Sequence, residues 1–132
     1  MAIANLQEML LFFAKQKNLI NLNLSNVQMN QLSATRRSSE SQQAYNQALQ
    51  DLYYDPDYGY GTNEYAQLLL ELQNDHEFEL SALTAWESDL EAQKEQWETQ
   101  LNEVTQYETN WQKLLSQNIK SDFTYGGTNG GK

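Results

Sequence analysis

The chain has 132 residues, 39% of them hydrophobic, and carries a formal net charge of −10 from 8 basic and 18 acidic groups. That length is one domain's worth, so a single domain over residues 1–132 is expected. No cysteine is present and His76 is the only histidine, which excludes a disulfide framework, a thiolate or two-His metal site and a cysteine nucleophile. The acidic balance argues against a nucleic-acid partner, because phosphate affinity comes from clustered Lys and Arg.

The first eight residues lack a basic n-region, and the apolar run from Met9 to Ala14 is short. No cleavable secretory signal and no membrane span are therefore expected. From about residue 2 to residue 52 there is neither Pro nor Gly, and Leu6, Leu10, Phe13, Ile20, Leu24, Val27, Ala34, Tyr45, Ala48 and Leu52 follow a 3-4 spacing. This predicts a long first helix with a coiled-coil seam, interrupted by polar residues at Lys17, Gln31, Ser38 and Ser41. A second apolar row, Met9, Phe12, Leu19, Leu22, Met29 and Leu32, makes the stripe wider than one partner helix covers. Between Thr35 and Ser41 the stripe weakens, and a kink, a break or a solvent-facing stretch is expected there.

Residues 54–63 hold the only Pro and two of the six glycines, and form the expected turn. Pro56 should stop the first helix, with Thr62 or Asn63 capping the second. From about 63 to 121 no breaker occurs, and Leu83, Trp86, Leu90, Trp97, Leu101, Val104, Trp111, Leu115 and Ile119 predict a second long helix, with a 4-4 stutter at Trp97 to Leu101. Residues 122–132 contain four glycines and are expected to form a flexible or extended tail. The fold class is thus all-α: a long antiparallel helical hairpin, coiled-coil-like, with a Tyr/Gly-rich turn and a Gly-rich C-terminal tail.

Charge is segregated along this layout. Residues 1–50 carry four basic groups and two acids, whereas residues 51–112 carry fifteen acids and only Lys94. Asn and Gln number 29, and 15 of them precede residue 51, so the first helix is polar mainly through neutral amides. Such a segment can face copies of itself without repulsion.

Reactive chemistry finds little support. An EF-hand loop starting at Asp55 would need Gly at position 60 and Glu at 66, where Tyr60 and Ala66 stand, so Asp55 and Asp57 read as turn residues. His76, with Asp75, Glu77 and Glu79 nearby, lacks the nucleophile and orienting partner of a catalytic base and reads as a solvated residue. Paired carboxylates need a cleft to act as acid and base, which a helical hairpin does not supply. No catalytic residue, metal ligand or cofactor site is assigned, and an enzyme is not expected. The turn tyrosines Tyr54, Tyr58 and Tyr60 divide between packing and an exposed contact tip, where tyrosine gives large area at low entropic cost.

The sequences Tyr54-Asp-Pro-Asp at the turn and Leu114-Leu-Ser-Gln-Asn-Ile119 near the end, set in two long helices without cysteine, resemble the subunits of type III secretion needles. The length and the hairpin layout are similar to longer flagellin-type or filament-extension proteins. The resemblance implies polymerisation into a helical tube, export without a cleaved signal, and an extracellular or cell-surface location. On this reading Leu6, Leu10, Phe13, Ile20, Leu24, Val27, Leu115 and Ile119 form the self-assembly interface, and the partners are copies of the chain and an export chaperone. An intracellular coiled-coil adaptor or chaperone, and a phage scaffolding or virion protein, are the alternatives.

Overall fold

A computed structural model describes the backbone of residues 3–130 and the side chains of residues 3–121. Helix α1 runs from Ile3 to Tyr53 and helix α2 from Tyr65 to Gly130. Contacts between them pair Lys17 with Glu108, Gln31 with Glu91, and Ser38 with Glu87, so the partner number falls as the first rises and the hairpin is antiparallel. The expected all-α hairpin is what the chain forms.

Position along α1 decides burial with a strict period of seven. Leu6, Phe13, Ile20, Val27, Ala34 and Ser41 are buried, and the alternating seam positions Leu10, Lys17, Leu24, Gln31, Ser38, Tyr45 and Leu52 are half-buried. A seven-residue repeat keeps one face turned to the partner helix over this length. The helix continues without a break through Thr35–Ser41, because a weak stripe removes burial but leaves every backbone hydrogen bond available.

The chain divides into two compact units. The first pairs the segment up to Asn26 with the segment from Lys94 onward. Its seam holds large side chains: the Phe13 ring lies 6.2 Å from that of Tyr107 and 6.4 Å from that of Trp111. Lys17 Nζ donates to Glu108 Oε1 at 3.1 Å, which supplies an opposite charge for a lysine at a seam position. The second unit is Val27–Gln93, where α1 contributes the smaller residues Ala34, Ser38, Ser41 and Ala48 to the seam. Here Leu90 is 2% exposed and Arg37 lies over the Trp86 ring at 5.5 Å.

Two helix boundaries differ from expectation. Helix α2 continues to Gly130 instead of ending near Ser121, since glycine lowers helix propensity by about 1 kcal/mol but, unlike proline, keeps its N–H for the helical ladder. The last two residues of the expected tail lie outside the described residues. At the other end the first bond of α2 runs from Leu68 N–H to Glu64 C=O at 3.0 Å, which puts Glu64, and not Thr62 or Asn63, at the cap. A carboxylate there complements the helix dipole. The Thr62 hydroxyl instead donates back into the turn, to Gly59 O at 2.8 Å.

Candidate assembly face and tyrosine tip

The residues expected to mediate self-assembly separate into two groups. Leu6, Phe13, Ile20 and Val27 are buried, and Leu10, Leu24 and Leu115 half-buried, within the chain's own hairpin, while Ile119 is exposed. Within the chain, then, the row expected as the intersubunit core packs largely in the seam between α1 and α2. What α1 leaves open is the other row. Its first member, Met9, is half-buried, but in the first unit Phe12, Leu19 and Leu22, with Leu11 beside them, are 50–63% exposed; in the second, Met29 and Leu32 are 62% and 69% exposed. Side chains of this kind left wet on one helix face mark an interaction surface.

The turn is built by a small set of hydrogen bonds. Tyr54 N–H donates to Gln50 O and Asp55 N–H to Leu52 O, closing α1 before Pro56. Asp55 Oδ1 accepts from the N–H groups of Asp57 at 2.8 Å and Tyr58 at 2.9 Å, so this carboxylate orders the turn as expected of an Asx residue. Gly59 N–H donates to Asp55 O and Tyr60 N–H to Tyr53 O. Gly59 is buried against this backbone, and Gly61 adopts φ +94°, a conformation that side-chain-bearing residues rarely take.

On that frame the tyrosines form a ring cluster. Tyr53 stacks on Tyr60 at 5.1 Å between centroids and meets Tyr54 edge-on at 4.9 Å; Tyr60 in turn meets Tyr65 edge-on at 5.7 Å. Tyr54, Tyr58 and Tyr60 are 78%, 50% and 70% exposed. Tyr54 and Tyr60 therefore both pack on Tyr53 and remain largely exposed, while Tyr58 stands beside the cluster. Beside them a groove of about 370 Å³ is lined by Tyr58, Glu64, Gln67, Leu68 and Glu71.

Sequence reasoning missed the polar layer of the second unit. His76 is buried, not solvated: its ring lies flat on Tyr45, with centroids 3.9 Å apart and planes 2° from parallel. Its Nδ1 and the Oγ of buried Ser41 have no hydrogen-bond partner. Both side chains line a groove of about 220 Å³, with Asp75 and Glu79 also on its wall. The seam phase of His76 was the signal that could have found this, since seam positions turn inward whatever residue they carry. Leaving a buried hydroxyl unpaired is costly, so Ser41→Ala should raise stability by about 1 kcal/mol. A higher urea midpoint with an unchanged slope is the expected readout.

Among the described residues no group of three or more His, Asp or Glu side chains is placed to hold a metal ion, and no helix is long and apolar enough to cross a membrane. No family model, curated protein or solved structure matches the chain.

Proposed function

We propose that this chain is a structural, non-catalytic subunit that assembles with copies of itself into an extracellular filament or tube, packing through the outer row of α1. The observation that carries this reading is that α1 is apolar on two faces while α2 covers only one of them. Charge favours the same face. Between Ile3 and Asn26 the charged groups are Glu8, Lys15 and Lys17 alone, so copies can meet there without opposing their acidic second helices. The extracellular location, export without a cleaved leader and transient pairing with an export chaperone rest on the resemblance to needle and flagellin-type subunits.

Negative-stain electron microscopy and sedimentation test the proposal. The purified chain should form regular, sedimentable fibres, more readily at about 0.5 M salt than at about 0.05 M, because screening shortens the reach of repulsion between acidic copies. Phe12→Ser combined with Leu19→Ser should keep the helical circular dichroism and abolish the fibres. A wild-type chain that stays a uniform small particle at both salt concentrations would overturn polymerisation and favour an adaptor that holds one partner helix along the same row.

A further inference from the structure

The tip of the hairpin carries chemistry that polymerisation through α1 does not use. Three tyrosines stand exposed on a turn whose backbone is tied down by Asp55 and closed around Gly59. Preorganised aromatic rings cost little conformational entropy when a partner covers them. The groove beside them combines the Tyr58 ring, the aliphatic side chain of Leu68 and the carboxylates of Glu64 and Glu71. An aliphatic stem ending in a cation is chemically complementary to that mixed apolar and acidic lining.

The surrounding charge identifies the occupant. From Asp51 to Gln93 the chain has eleven acids and no Lys or Arg. A nucleic acid would be repelled by this field, and a neutral sugar would leave the two groove carboxylates without an ionic partner. Tyrosine faces attract cations as well, through the ring quadrupole. We propose that the tip formed by Tyr54, Tyr58 and Tyr60, with the Glu64/Glu71 groove, is a docking surface for a basic polypeptide segment. A lysine or arginine of that segment seats in the groove, and neighbouring cationic side chains lie over the exposed rings. The inference is independent of assembly, since no residue of the outer row of α1 takes part.

The test must separate a shaped site from diffuse attraction between an acidic chain and any polycation. Fluorescence anisotropy of a labelled peptide of alternating Gly and Arg is measured against the full chain at about 0.15 M salt, where long-range attraction is screened. Three variants are compared: Tyr54→Ser/Tyr58→Ser/Tyr60→Ser, Glu64→Gln/Glu71→Gln, and a charge-matched control, Glu95→Gln/Glu98→Gln, on exposed positions in the other unit. All three leave Asp55, Gly59 and Gly61 in place, and unchanged circular dichroism establishes that the hairpin is intact.

Removing two or three ring contacts or the groove carboxylates should weaken binding about tenfold or more, with the control within about twofold of wild type. Equal weakening by the two Glu-to-Gln pairs would overturn the site in favour of diffuse attraction. Wild-type affinity in the triple tyrosine variant would overturn the role of the rings. Tighter tyrosine-dependent binding of an uncharged oligosaccharide than of the peptide would overturn the assignment of the partner.

Discussion

Replacing Phe13 by alanine is expected to destabilise the hairpin by about 3 kcal/mol, at the lower end of the range for a buried aromatic because a two-helix seam has solvent close by. The side chain is 7% exposed, and its ring packs with Tyr107 and Trp111 from the opposite helix. Its truncation removes both contacts and leaves a gap that neither helix can close without shifting the seven-residue register. The neighbouring Phe12 makes the comparison sharp. It is 50% exposed and touches Phe13 edge-on at 5.8 Å, so Phe12→Ala should cost under about 1 kcal/mol. Urea unfolding of the two variants under dispersed conditions checks both values. Comparable losses would mean that the outer row is already packed in the isolated chain, which would remove the basis of the assembly proposal.

The second large effect is expected at Gly59. A methyl group there would fall 2.7 Å from Tyr53 O and closer still to Asp55 O, both backbone atoms already engaged in the turn. No side chain can move aside to relieve this, so Gly59→Ala should destabilise by about 3 kcal/mol, the upper end of the usual range for overpacking. Gly61→Ala differs in kind. Its added methyl would meet nothing, and only the φ of +94° opposes it, so a cost of about 1–2 kcal/mol is expected. Urea midpoints should therefore fall in the order wild type, Gly61→Ala, Gly59→Ala. Near-ultraviolet circular dichroism should also lose part of its tyrosine signal in the last variant, as the ring cluster loosens.

The helices could be read from spacing alone, because a seam such as Leu6, Leu10, Phe13 and Leu24 repeats at a period that only a helix satisfies; the hairpin was read from the single turn at residues 54–63, and spacing left open whether the helices pair within one chain or between copies. Spacing also separated the seam row from the second row, of which Phe12, Leu19, Leu22, Met29 and Leu32 are exposed. Phe12 and Phe13 are equally apolar and adjacent, and their phase in the repeat tells them apart. His76 shows the opposite case. Its acidic neighbours in sequence suggest solvent, yet the helical phase outweighs composition and carries the imidazole to the face where Tyr45 offers a flat ring. At the turn, Asp55 was recognisable as a turn residue, whereas the cap at Glu64 was not, since Thr62 is the better capping type and is withdrawn from the helix by its bond to Gly59 O. The exposed tyrosines were named from sequence, but the packing of Tyr54 and Tyr60 against Tyr53 follows from backbone bonds that composition does not encode.

The distribution of side chains along the seam also sets the order in which the chain can fold. Contacts of the second unit join residues 49 and 60 apart in sequence, as in Ser38 with Glu87 and Gln31 with Glu91, while Lys17 and Glu108 in the first unit are separated by 91. Loop-closure entropy favours the shorter connections first, and once they exist the longer one closes at little further cost. The contacts beside the turn are therefore expected to form first, among them Tyr45 with His76 and the seam around Leu83 and Leu90. The large rings of the first unit are then expected to join late. Such late contacts govern how fast a structure comes apart more than how fast it forms. In kinetic terms Phe13 and Trp111 are expected to act as a latch: their truncation should speed unfolding more than it slows folding.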